Sequence, residues 1–155
     1  MIWSFKTRLI HWLIALPVLV NFILEGGETV HQVLGYIASG MMLVRIVWGF
    51  LAQDQARFSA FPFAEVFKAR RNYPGHNPQA SWIYVLIWAL VGSLGVTGFM
   101  MGLDAYWGEE WLEDLHENLS NTLLILVVLH LLGIAFDAWK FRRKTWLGMI
   151  TGRRK

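Results

Sequence analysis

The chain contains no cysteine. That excludes disulfides, thiolate-held metal clusters and a redox-active thiol. Charge is scarce as well: 16% of the 155 residues are charged, against 55% hydrophobic. The stretch Ser81–Leu103 carries no charge at all. A soluble four-helix bundle needs a polar face on every helix, and these runs do not supply one, so a soluble bundle is excluded. Lysine and arginine are missing from two whole regions, around Glu25–Glu28 and Asp104–Asp114. The net charge of +3 therefore hides a strongly one-sided distribution.

What is present is apolar sequence in lengths that fit a bilayer. Four stretches come close to the ~20 residues that a spanning helix requires: Phe5–Leu24, Thr29–Leu51, Ser81–Leu103 and Asp114–Trp139. The expected fold is an all-α integral membrane protein. It is a single domain over 1–155, a bundle of four transmembrane helices with a long loop at 52–79 and an acidic loop at 104–113. Lys6 and Arg8 precede the first stretch, but no small-residue cleavage site follows, and Pro17, Asn21 and Glu25 continue a full span. The first helix is therefore expected to be retained rather than removed as a signal peptide. Basic residues gather before helix 1 (Lys6, Arg8), between helices 2 and 3 (Arg57, Lys68, Arg70, Arg71) and after helix 4 (Lys140, Arg142, Arg143, Lys144, Arg153, Arg154, Lys155). The positive-inside rule then puts both termini and the long loop in the cytoplasm. The basic tail is short and juxtamembrane, so topology explains it and nucleic acid is not an expected partner.

The histidines carry the chemistry. His116 and His130 are 14 residues apart on one apolar segment. On an α-helix that spacing is nearly four turns, so both rings leave the same face within about 40°, roughly 21 Å apart along the axis. Helices 1 and 3 run outward and helices 2 and 4 inward. His31 opens helix 2 and His116 opens helix 4, both at the outer face. His11 lies near the inner end of helix 1, and His130 near the inner end of helix 4. The four thus form two depth-matched pairs, His31/His116 outside and His11/His130 inside. Neutral imidazole is a common metal ligand and a common axial ligand of haem iron. Zinc would call for a closed set of four ligands. Two histidines per level, without a repeated carboxylate, fit bis-histidine haem better. With no cysteine to attach it, such haem is non-covalent and b-type. Bis-ligation leaves iron no open position, which favours electron transfer over oxygen chemistry.

Other residues admit two readings each. Gly35 lies one turn from His31 on the same face, leaving room either for a flat macrocycle or for close helix packing. Gly92, Gly95 and Gly98 recur every third residue on helix 3, with the same two meanings. Met100 and Met101 read as core filler. Arg45, in the inner half of helix 2, must either snorkel to the headgroups or pair with a partner such as a haem propionate. In the long loop, AEVFKARR (64–71) has the pattern of an amphipathic surface helix. Gly75-His76-Asn77-Pro78 is a turn, where His76 and Asn77 are candidate polar contacts for a quinone.

Several short motifs resemble those of a known family. They are RLIHW at Arg8–Trp12, HQVLGY at His31–Tyr36, RIVWGF at Arg45–Phe50, ARFSAF at Ala56–Phe61 and GHNP at Gly75–Pro78. The LHE…LH pattern of helix 4 completes the set. Together they make the chain similar to the bacterial dihaem cytochromes b561. That family is related to the cytochrome b subunits of nickel–iron hydrogenase and the gamma subunit of formate dehydrogenase. The resemblance implies two haem b groups and a bacterial inner (plasma) membrane location. It implies electron exchange between the quinone pool and a periplasmic partner, such as a c-type cytochrome or another basic redox protein. Hydrogenase-serving members often have an extra helix or longer extensions, and none is present here, so a hydrogenase partner is not expected. The alternative function is a stand-alone oxidoreductase such as a quinone-reducing superoxide oxidase. A homodimer is compatible with either.

Overall fold

The structure is a computed structural model that describes residues 3–24, 29–53, 55–63, 78–142, 144 and 146–152. Five α-helices are described: α1 (Phe5–Asn21), α2 (Thr29–Leu51), α3 (Pro78–Met101), α4 (Glu110–Phe141) and α5 (Leu147–Thr151). Single 3₁₀ turns lie at Phe58–Ala60 and Asp104–Tyr106. Three helices are long and apolar enough to cross a membrane: Thr29–Leu51, Ala80–Met101 and Glu110–Lys140. At 17 residues, α1 is ~26 Å long, slightly less than the ~30 Å of a hydrocarbon core.

The helix ends follow local chemistry. Ser4 caps α1, its Oγ accepting the Thr7 amide at 3.3 Å. Pro78 opens α3, where its missing N–H is no loss, so this helix starts three residues before Ser81. Glu110 and Glu113 occupy the first turn of α4 and Lys140 its last. Both signs suit the helix dipole, and α4 accordingly begins inside the stretch read as an outer loop. It ends at Arg142, which adopts a left-handed conformation with φ 50°.

The helices pack in chain order, α1 on α2, α2 on α3 and α3 on α4. Cross-links fix the directions. Asn21 Nδ2 donates to the His31 carbonyl at 3.0 Å, and Trp48 Nε1 donates to Thr7 Oγ1 at 3.3 Å. The end of α1 thus meets the start of α2, and its start meets the end of α2. Ser39 Oγ donates to the Val91 carbonyl across α2 and α3. Thr97 meets His116, and Tyr84 meets His130, across α3 and α4. The result is an up-down-up-down bundle with two distinct ends. One is formed by the α1–α2 and α3–α4 connections, here called the turn end. The other, the terminal end, carries the start of α1 and the end of α4.

The core is small and lies between the ends. Ala38, Met42, Val91 and Leu123 are buried together, with Ile14, Val18, Phe22 and Trp88 against them. Leu123 sits seven residues from each histidine of α4. Large apolar side chains such as Leu43, Phe50, Ile125 and Leu132 face outward, which costs nothing where the surroundings are lipid. Helix contact must then come from close packing and polar links. Gly95 illustrates the first, because a Cβ there would run into the side chain of Ser39. The short α5 folds back onto α1: Arg8 and Trp12 donate to the carbonyls of Ile150 and Met149, and Gly148 packs on Trp3.

Candidate functional site

At the turn end, His31 of α2 and His116 of α4 approach each other with ring centroids 6.3 Å apart and planes at 62°. That distance is compatible with a simple edge contact between rings. It equally suits two nitrogens sharing one metal at ~2 Å each, which puts ring centres roughly 6 Å apart. The surroundings favour the second. Both histidines line a cavity of about 300 Å³ that also borders Val18, Phe22, Leu94, Met101 and Leu123. Its walls include Gly35 and Gly98. A Cβ on Gly35 would meet only Asn21 Nδ2 at 3.6 Å, and one on Gly98 only His116 Cε1 at 3.5 Å. Both are ordinary contacts, so helix packing does not demand glycine at either position. Gly95 lines the cavity too and also lets α2 and α3 approach at Ser39, while Gly35 and Gly98 serve the cavity wall alone. Gly92 has no neighbour that a Cβ would touch.

The two imidazoles are held differently. His116 Nδ1 is 2.7 Å from Thr97 Oγ1. His31 Nδ1 is buried and has no hydrogen-bond partner among the described residues; its ring is held through the backbone, by the Asn21 bond to its carbonyl. An imidazole that turns one nitrogen to the protein and keeps the other for a ligand is the ordinary arrangement at metal sites.

At the terminal end, His11 of α1, His130 of α4 and Arg45 of α2 lie in one neighbourhood. His130 makes an edge contact with Tyr84 at 5.4 Å, and His11 makes one with Trp12 at 5.4 Å. Arg45 turns into the bundle. It is 7% exposed, lies over the rings of Trp88 at 4.7 Å and Phe58 at 5.6 Å, and donates to the Ala56 carbonyl at 3.1 Å. A desolvated cation–π contact contributes ~2 kcal/mol, which with the Ala56 bond offsets part of the cost of burying the guanidinium. Phe58 can stand there because Gly49 has no side chain; any Cβ on Gly49 would strike the Phe58 ring.

The structure thus brings His31 and His116 together and sets His11 beside His130 and Arg45. His76 and Asn77 lie outside the described residues, as does the 64–71 segment. Sequence reasoning passed over Thr97 as a contact of His116, Tyr84 as a contact of His130, and the Trp88–Phe58 cage around Arg45. Tyr84 and Trp88 are one turn apart on α3, so their shared face was a readable signal. Thr97 gave none, because its role depends on how α3 and α4 are rotated against each other.

A sequence model of the prokaryotic cytochrome b561 family matches residues 2–152. The chain belongs to that family. No curated protein sequence and no solved structure matches it. As a cytochrome b561 it is a bacterial membrane protein that holds haem b and transfers electrons. The donor set fits that group. Among the described residues, no three His, Asp or Glu side chains gather into a metal site. His31 and His116 instead form a pair beside a mainly apolar cavity, and imidazole is a common ligand of haem iron.

Filling the cavity wall tests this assignment. In Gly98→Leu, haem bound per chain is expected to fall while helix content by circular dichroism stays unchanged. Undiminished haem in that variant would show that the cavity is not its seat.

Proposed function

We propose that this cytochrome b561 spans the membrane four times and carries two b-type haems, one on His31 and His116 and one on His11 and His130. It passes electrons between the quinone pool and a redox protein on the opposite side. The observation that carries the reading is the arrangement of α4: its two histidines meet a partner histidine or its vicinity at each end of the bundle. Buried Leu123 fills the interval between them. A bound haem supplies a one-electron couple. The chain's own residues do the rest. The paired imidazoles would hold the iron, the apolar walls of the cavity would exclude water, and Arg45 would offer a buried positive charge for a propionate at the terminal end. In this reading α1 spans with a thinner hydrophobic length than its neighbours. The clustering of Lys6, Arg8, Arg57, Lys140, Arg142 and Lys144 toward the terminal end supports a cytoplasmic location for it.

The decisive measurement is haem stoichiometry with reduced-minus-oxidised spectra. Wild type is expected to hold two haems per chain. His31→Ala should lose the turn-end haem, His11→Ala the terminal-end one, and Arg45→Leu should weaken retention of the latter alone. Two haems retained in both histidine variants would refute the pairing.

The quinone is assigned to the terminal end, with His76 and Asn77 as polar contacts. The support is chain adjacency: both directly precede Pro78, the first residue of α3, on the side that holds His11 and His130. Reduction of the terminal-end haem by decylubiquinol should slow in the His76→Ala/Asn77→Ala double variant. An unchanged rate would remove these residues from the site.

At the turn end, Asp104, Glu109, Glu110, Glu113, Asp114 and Glu117 are all exposed, and Trp107 is 83% exposed among them. No lysine or arginine occurs between Arg71 and Lys140. A surface of one sign attracts the opposite charge and raises association rates by ~10–10³, with strong salt dependence. The partner supported by this field is a basic protein such as a c-type cytochrome. Superoxide, an anion, would be repelled. Electron exchange of the turn-end haem with a basic cytochrome should slow steeply as ionic strength rises. A salt-independent rate, or a near-diffusion-limited rate with superoxide, would favour the superoxide-oxidising alternative.

A further inference from the structure

Thr97 contributes no ligand, yet it is 6% exposed and makes the shortest polar contact at the turn-end site. Its Oγ1 lies 2.7 Å from His116 Nδ1, 3.0 Å from the Ser93 carbonyl and 3.2 Å from the Leu94 carbonyl. A hydroxyl has one proton to give and lone pairs with which to accept, while a carbonyl only accepts. Two proton arrangements are therefore open. In one, Thr97 donates to the carbonyl one turn back on α3 and accepts a proton held on His116 Nδ1. In the other, Thr97 donates to Nδ1, and His116 carries its proton on Nε2. A protonated Nε2 has no lone pair and cannot ligate a metal. Only the first arrangement leaves His116 competent, and the Ser93 carbonyl is at the right distance to receive the hydroxyl proton.

We infer that Thr97 is a positioning residue that holds His116 in the Nδ1–H tautomer and fixes the rotation of its ring. The inference rests on the haem reading of this site. A hydrogen bond from the distal N–H to an oxygen raises the basicity of a ligating imidazole. His116 has such a bond, so α3, which supplies no histidine, controls the ligand strength of α4. A more basic ligand favours the ferric state, so Thr97 lowers the potential of the turn-end haem.

Thr97→Val removes the hydroxyl at nearly constant volume, and Thr97→Ser keeps it. Potentiometric titration of the purified protein reads both haems, and the component absent in His31→Ala identifies the turn-end one. Thr97→Val is expected to shift that component upward, leave the other unchanged, and release its haem ~10–100-fold more readily. Thr97→Ser should match wild type in all three. If Thr97→Val does not insert into the membrane, Thr97→Ala carries the same expectation. A wild type without haem at the turn end overturns the proposed function and this inference together. Two haems in wild type, with the turn-end potential and retention unmoved in Thr97→Val, overturn this inference alone. Equal shifts in the Val and Ser variants do so too, since they would trace the effect to packing rather than to the hydrogen bond.

Discussion

An imidazole inside a bilayer has no water to bond. Each of its polar nitrogens must find a partner in the protein or in something the protein holds, because an unpaired polar group in hydrocarbon costs several kcal/mol. Much of this bundle can be understood from that constraint. Four histidines lie on helices that face lipid, and the fold brings His31 and His116 into ring contact at one end. His116 gives one nitrogen to Thr97, and His130 sets its ring edge-on to Tyr84. Among the four long helices α3 lacks a histidine, and it contacts both histidines of α4. It can do so because the bundle is sequential, with α3 packed against both α2 and α4.

The same constraint explains why so little of the chain is conventional core. Lipid is as apolar as leucine, so burying leucine between helices gains little, and association depends on backbone proximity and polar links. The buried set is correspondingly small and centred on Met42 and Leu123. The rest of the cohesion comes from specific devices: Gly95 against Ser39, Asn21 on the His31 carbonyl, Trp48 on Thr7, and the guanidinium of Arg45 between Trp88 and Phe58. Most of these sit beside a histidine or one turn from it. Stability and site geometry therefore rest on the same contacts, and a substitution that loosens helix packing at either end also displaces a ligand.

Membrane class and helix order were legible in the sequence because they depend on quantities that survive without tertiary structure. Run length reports bilayer thickness, and the turn signals between runs report where one helix ends and the next begins. Helix ends were less legible. Pro78 and the Glu110/Glu113 turn extended α3 and α4 beyond their most apolar cores, since capping and dipole chemistry set an end more than hydropathy does. Helix rotation was not legible at all. Whether Arg45 points at the headgroups or into the bundle depends on where Phe58 stands, which in turn depends on Gly49, and no periodicity encodes that chain of contacts. The fold-back of α5 onto Arg8 and Trp12 was hidden for a related reason. Its basic flanks carry a topological signal strong enough to obscure a docking segment only five residues long.

The two ends of the bundle differ in a way that bears on direction. The turn end combines a ring pair at contact distance, an open acidic rim and exposed tryptophan. The terminal end combines a caged arginine with a dense cluster of rings from the α2–α3 connection and α3: Phe58, Phe61, Phe63, Trp82 and Trp88. A site that meets a protein benefits from reach and long-range charge. A site that meets a lipid-soluble carrier benefits from apolar, aromatic walls with a few placed polar groups. The acidic rim of the turn end suits the first kind of encounter, and the ring cluster of the terminal end suits the second. The division follows from a single pattern in the chain, in which acid and base are segregated by connection while the histidines are not.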